Sequence, residues 1–345
     1  MAYTTINKST DYFNTKLYTG NGGTQSITGV GFQPDFNWTK NRNDNYGHTL
    51  TDSVRGATKY VMSSSNAAEA TNAEFLKSFD SDGFTVGTQG RLNNNNYTYA
   101  SWNWIANGQG SANTDGSINT TYTSVNTTAG FSISKYSGTG SNATIGHGLG
   151  VKPNLIFFKR LDSNGSWVVY HSSLGATKYL SLNSTAAEAT ASDEFQNTEP
   201  TNSLISIGTD GGVNGTTMVA YAFAEKTGYS KISSYTGNGN ADGAFIYTGF
   251  KPAWLLIKRS DASTERWVIL DSKRDTFNVS NKAVYADDDQ AENPSTSEQG
   301  LDILSNGFKI RNSNTKTNTS GATYIYMAFA EAPLVGSNNV PCTAR

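Results

Sequence analysis

The chain has 345 residues; 36% are hydrophobic, 12% aromatic and only 16% charged, with 34 glycines. Lys+Arg (26) nearly balances Asp+Glu (28) for a net charge of −2, so no basic field exists to hold a nucleic-acid backbone. Low charge with plentiful aromatics also separates it from disordered chains, which pair low hydrophobicity with high net charge.

No apolar run approaches the ~18 residues of a membrane-spanning helix. The opening MAYTTINKST lacks the apolar core of a signal peptide, which predicts synthesis in a reducing cytoplasm, or passage outside by a route other than secretion. Cys342 is the single cysteine, so an internal disulfide and a cysteine-cluster metal site are excluded.

Taken in chain order, the same markers pass three times. The first block carries Tyr18-Thr-Gly-Asn-Gly, an apolar run from Pro34 to Lys40, Gly-Ala-Thr-Lys-Tyr at Gly56 to Tyr60 and Ala-Ala-Glu-Ala at Ala67 to Ala70. It closes on Phe84/Val86 and on the alternating stripe Thr98, Ala100, Trp102 and Trp104. A polar Gly/Ser/Asn connector follows Gly108, and Ser117 to Val125 alternates as a weak extra strand. The second block repeats the order with Tyr136-Ser-Gly-Thr-Gly, Pro153 to Lys159, Trp167, Gly175 to Tyr179, Ala186 to Ala189 and Ile205/Ile207. Its closing stripe is Thr217, Val219, Tyr221 and Phe223. The third has Tyr235-Thr-Gly-Asn-Gly, Pro252 to Lys258, Trp267, Phe308/Ile310 and the stripe Thr323, Ile325, Met327 and Phe329.

Period-two alternation with Gly-rich turns predicts strands, the closing stripe having one buried face. The unbroken runs Leu155 to Phe158 and Trp254 to Ile257 predict a strand covered on both faces. Only Asn66 to Phe79, with its Ala-Ala-Glu-Ala, predicts a short helix. The expected fold is all-β: three tandem homologous antiparallel β-sandwich (jelly-roll-like) domains at 1–110, 111–228 and 229–345, with few short helices.

In order, Tyr-x-Gly-x-Gly, Pro153 through Lys159-Arg160, Trp167 to Gly175 and the closing Ala222 to Glu225 resemble a tandem domain of virion proteins of marine bacteriophages. Repeat 2 matches best. Repeat 3 departs from it with Asp271 in place of His171, and repeat 1 with His48 at the Trp position and Asn41 between Lys40 and Arg42. The resemblance implies a virion-surface component, similar in pattern to concanavalin- and SPRY-like sandwiches that bind glycans or protein loops. Its partners would be other virion proteins of tail or capsid and host surface polysaccharide. Nucleic acid and membrane are not expected, and a homo-oligomer is compatible with the pattern.

Three functions follow in order of preference: a non-enzymatic tail-fibre or tail-associated adhesin, a capsid decoration protein, and a polysaccharide-degrading tail protein. The second gains from a first repeat that starts almost at Met1 and from the absence of heptads or collagen-like periods. The third is weakened because no carboxylate pair recurs across the copies. His171 precedes Ser172 and Ser173, a hydrolase-like neighbourhood, yet its counterparts Asp52 and Asp271 favour a structural role at a strand end. His48 is expected in a core.

The loop from Arg91 to Tyr97 is the expected ligand site: Asn94, Asn95 and Asn96 would bond sugar hydroxyls while Tyr97 stacks on a sugar face. Trp102 and Trp104 should instead be buried. Asp287, Asp288, Asp289 and Glu292 form the densest acidic run and are the candidate cation ligands, against the plainer alternative of a solvated loop. No phosphate-binding glycine loop is present and no cofactor is expected.

Overall fold

In each repeat the Tyr-x-Gly-x-Gly strand, the closing strand, the Pro-to-Lys strand and the strand after the Trp position line up as one antiparallel sheet. In repeat 1 these are Phe13–Thr19, Thr98–Trp104, Phe36–Asn41 and Thr49–Asp52, in that spatial order. The computed structural model describes residues 4–333, and Cys342 lies outside them. Repeat 2 has the same four positions in Phe131–Tyr136, Met218–Phe223, Leu155–Arg160 and Val168–His171, extended by Tyr122–Asn126 on one edge and Lys178–Ser181 on the other. Tyr122–Asn126 overlaps the C-terminal half of the extra strand expected at Ser117 to Val125 and runs one residue past it. Repeat 3 uses Ser230–Thr236, Thr323–Pro333, Phe250–Arg259 and Val268–Asp271.

A smaller antiparallel sheet covers the outer face of each main sheet. It comprises Gln25–Thr28, Gly83–Val86 and Leu76–Asp80 in repeat 1, Ala143–Gly146 and Leu204–Ile207 in repeat 2, and Phe245–Tyr247, Gly307–Ile310 and Leu301–Leu304 in repeat 3. The molecule is all-β, three antiparallel sandwiches; among the described residues single-turn helices occur only at Gly90–Asn93, Gly211–Asn214 and Thr296–Gln299, plus a short 3-10 turn at Ser9–Asp11. Each sandwich holds its own core between its sheets, as with Ile145, Ile156, Phe158, Tyr170 and Ile205 in repeat 2.

The inner faces of the three main sheets meet in one shared core. It joins Phe36, Trp38, Trp102 and Trp104 of repeat 1 to Phe157, Trp167, Tyr221 and Phe223 of repeat 2 and to Trp254, Trp267, Met327 and Phe329 of repeat 3. Phe36 and Tyr221 have ring centroids 4.6 Å apart, and Trp104 meets Trp254 edge-on at 5.6 Å. The closing strands are therefore buried on both faces, not one: Tyr99, Ser101 and Asn103 are as enclosed as Trp102 and Trp104. Period two indicates which residues share a face. Whether the second face meets water depends on what the neighbouring repeats place there.

The repeats close into a ring through three equivalent seams. The lysine of each Pro-to-Lys marker is buried, and its ammonium donates to carbonyls of its own repeat and of the preceding one. Lys40 reaches Tyr46 and Asp289, Lys159 reaches Gly165 and Asn66, and Lys258 reaches Arg259 and Thr185. Burial lowers all three ammonium groups to about 8. The Ala-Ala-Glu-Ala position answers with a backbone bond: Glu69 N–H donates to Leu161, Glu188 N–H to Ser260 and Glu292 N–H to Arg42, at 2.9, 2.8 and 3.0 Å.

This use of the backbone overturns the helix expected at Asn66 to Phe79. The segment is extended, with strands at Ala70–Thr71 and Leu76–Asp80. A helix this short pays the full cost of nucleation for few bonds. The amides of Ala68 and Glu69 are instead drawn outward to Asn164 and Leu161 of the next repeat.

A second bond at each seam differs in chemistry. Asp52 accepts from Arg55 of its own turn and, at 2.6 Å, from the Tyr221 hydroxyl of repeat 2. Asp271 accepts from Arg274 and, at 3.1 Å, from the Trp102 indole of repeat 1. At the matching place in repeat 2, His171 faces the Tyr326 carbonyl and Leu174 replaces the arginine.

Candidate functional site

The Tyr-x-Gly-x-Gly turns are fastened from beneath by one buried asparagine per repeat. Asn93 Oδ1 accepts from Asn21 N–H while its amide donates to the Gly23 and Gly87 carbonyls. Asn214 and Asn318 repeat this on the other two turns. The turn tyrosines Tyr18, Tyr136 and Tyr235 donate to the carbonyl just before that asparagine. The first glycine of each turn is obligatory, because a Cβ on Gly20, Gly138 or Gly237 would lie 2.2 to 2.4 Å from a carbonyl oxygen. Sequence reading singled out the four residues after Asn93 and passed over Asn93 itself. Only its burial separates it from its neighbours, and its recurrence at matched positions was the available signal.

The expected ligand loop lies against this turn. Asn94 N–H donates to the Tyr99 hydroxyl at 2.6 Å, Asn96 N–H donates to Gly20, and Tyr97 accepts from Gly20 and packs half-buried on the repeat 1 core. Asn95 and Asn96 are exposed, with Asn96 at a φ of 65°. The loop thus offers two free amides, while Asn94 and Tyr97 are engaged in holding it. Exposed aromatics stand elsewhere: Phe245 and Tyr247 on the edge strand of the repeat 3 outer sheet, and Phe277. Tyr247 borders a cavity of about 330 Å³ lined also by Glu225, Ser230, Lys231 and Thr248. The alternation Phe245-Ile246-Tyr247, with Ile246 buried, was legible in the sequence; which face met solvent was not.

The acidic run is placed at the seam between repeats 3 and 1. Asp287 accepts from Trp267 N–H and pairs with Arg266, as does Asp288. The exposed Asp289 contributes its carbonyl to Lys40. Glu292 takes a two-pronged bond from Arg42 at 2.9 Å and a further one from Arg274. Asp287, Asp288 and Glu292 turn toward arginines, while the exposed Asp289 joins Asp287 and Asp288 in the wall of a cavity of about 390 Å³.

The three histidines each bind backbone or a ring. His48 Nδ1 accepts from the Trp38 indole at 2.8 Å, and the ring stacks on Trp102. His147 accepts from Leu149 N–H and His171 from Ser173 N–H. Burial depresses all three, His171 to about 4, so they are neutral at pH 7. His171 is fully buried.

One slot recurs beside the single-turn helices, two residues before the buried asparagine. Repeat 1 places Arg91 there, its guanidinium against Met62 and over the Tyr46 ring, on the wall of a cavity of about 390 Å³. Repeat 3 fills it with Lys316, over the Tyr285 ring. Repeat 2 has Gly212 there, and the slot is open as a cavity of about 370 Å³ whose lining includes Arg160, Asn164, Tyr179, Glu194 and Asp210. Glu194 is 5% exposed, and its Oε2 has no hydrogen-bond partner among the described residues. Burial, then the neighbouring Asp210 and Asp193 charges, push its carboxyl up to about 8.

A ring of three sandwiches welded by buried polar seams, with sites confined to surface slots, is the class that fold and geometry define. The chain belongs to the family described as Domain of unknown function (DUF7483), whose model matches residues 8–333. No curated protein and no solved structure matches it.

Proposed function

We propose that this chain is a non-enzymatic contact module of a bacteriophage virion, a tail-fibre or tail-associated adhesin that meets host surface glycans. The observation that carries this reading is where the repeated polar markers go. The lysines, the Ala-Ala-Glu-Ala amides and the turn asparagines are all consumed in holding turns and seams. What remains for a partner is a hydroxyl- and amide-rich surface with exposed aromatics, chiefly Tyr247 beside its groove and the Asn95–Asn96 tip. Aromatic faces stack on the apolar faces of sugars and amides bond their hydroxyls; copies on one particle would add avidity.

Purified protein should bind isolated host surface polysaccharide, leave its chain length unchanged, and lose affinity on Tyr247→Ala. Binding to empty heads with none to polysaccharide would replace this reading by capsid decoration. That alternative is favoured by one observation, the cyclic arrangement of three like units, which suits docking on a threefold site. Shortening of the polysaccharide would instead support the degrading-enzyme reading.

A further inference from the structure

The open slot of repeat 2 has an internal template in repeat 3. Glu194 and Glu298 each lie four residues after a short strand, Ala189–Thr190 or Asn293–Pro294, whereas Glu74 is three after Ala70–Thr71 and matches Asp193 in the backbone register. Glu298 is met by the Lys316 ammonium at 2.8 Å. Glu74 is met by Lys77 at 2.8 Å and by the Thr88 N–H. Glu194 has neither. The residue matching Lys316 is Gly212, and Ser181, which matches the Tyr285 beneath Lys316, lines the cavity.

The charges facing Glu194 leave it short of a cation. Asp193 and Asp210 add negative charge, and Tyr179 is a neutral phenol raised by burial and by these same carboxylates. The one basic lining group, Arg160, is held by Asp162 through two bonds of 3.1 and 3.0 Å. A buried carboxyl without a donor is costly, and the least costly remedy is a donor that carries positive charge.

We propose that this cavity binds a small polar ligand through a primary ammonium group seated on Glu194, where Lys316 sits on Glu298. An amino sugar with a free amine suits the volume, because Asn164 and Tyr179 offer partners for its hydroxyls. The inference concerns this cavity alone and stands apart from the virion reading.

Glucosamine is the probe and N-acetylglucosamine its neutral control, titrated by calorimetry into the full chain. Glucosamine should bind at one site, and acetylation of its amine should weaken binding by about tenfold or more, the range for loss of a charge-assisted bond. Carboxyl-carbon NMR should show the Glu194 pKa falling when glucosamine is added. Glu194→Gln, which keeps shape, should weaken glucosamine as much as acetylation does. Gly212→Lys should abolish binding by refilling the slot, with Val168 shifting to make room, since its Cγ2 lies 2.7 Å from the position of the new Cβ. Should Gly212→Lys fail to fold, Glu194→Gln and the acetylated control decide the matter. Equal affinity for the amine and its acetylated form, unchanged affinity in Glu194→Gln, or no saturable binding of glucosamine at millimolar concentration would each overturn the proposal.

Discussion

The place beneath the neighbouring closing strand is ionic in repeats 1 and 3 and neutral in repeat 2. Asp52 and Arg55, and Asp271 and Arg274, are buried ion pairs in the shared core. Burial works against the Arg55 charge, but the Asp52 and Glu69 carboxylates more than offset it and hold the guanidinium above its ordinary value. Each pair is completed from the next repeat by a donor, Tyr221 or Trp102. The third closing strand presents Met327 at that position, and the place facing it carries His171 and Leu174. Where the neighbour cannot donate, the ion pair is absent. A buried carboxylate needs its remaining lone pairs satisfied, so charge at each seam depends on the ring opposite.

The sharpest way to break this comparison is to remove one ion from one seam. Arg55→Met should cost about 3–5 kcal/mol in chemical denaturation, since it leaves Asp52 charged and buried. Leu174→Met at the matched position should cost under about 1.5 kcal/mol, a volume-conserving apolar exchange. Similar losses would show that the pair contributes only packing.

Acid separates the seams next. The His171 pKa is lowered in the folded protein to about 4, so the unfolded chain binds more protons below its ordinary ~6.5. Stability from this group is fully present above pH 6.5 and falls as pH drops toward 4, by roughly 3 kcal/mol. Melting curves of His171→Gln against the parent over that window should show the difference in slope. Parallel curves would contradict a neutral buried imidazole.

The smallest effect tests the donor itself. Tyr221→Phe should destabilise by about 1–3 kcal/mol, because the Asp52 carboxylate loses an acceptor bond it cannot replace in the core. Met327→Leu, at the same position of the third strand, should cost under about 1.5 kcal/mol. A Tyr221→Phe effect no larger than that of Met327→Leu would remove the link between donor and ion pair.

The strands, their alternation and the triplication were legible because they are local: period-two burial and turn glycines such as Gly20 leave their mark on adjacent residues. The Asn66 to Phe79 segment was misread for the converse reason, since its amides bond to another repeat and composition carries no trace of that. At the candidate sites, the Asn94 to Tyr97 loop offered the right residue types, but only packing shows that Asn94 and Tyr97 are partly occupied. Asp287 to Glu292 read as a single acidic cluster because sequence neighbours look like spatial neighbours; the arginines that divide them come from distant segments.

By itself the sequence determined the module, its all-β character and its three copies, because hydrophobic alternation acts within a few residues. The tertiary structure alone decided that the inner sheet faces merge into one core and that His171 faces a carbonyl where Asp52 meets an arginine. It alone left Glu194 without the cation that Glu298 has. Burial and electrostatics depend on what arrives from far along the chain, and that juxtaposition exists only once the ring has closed.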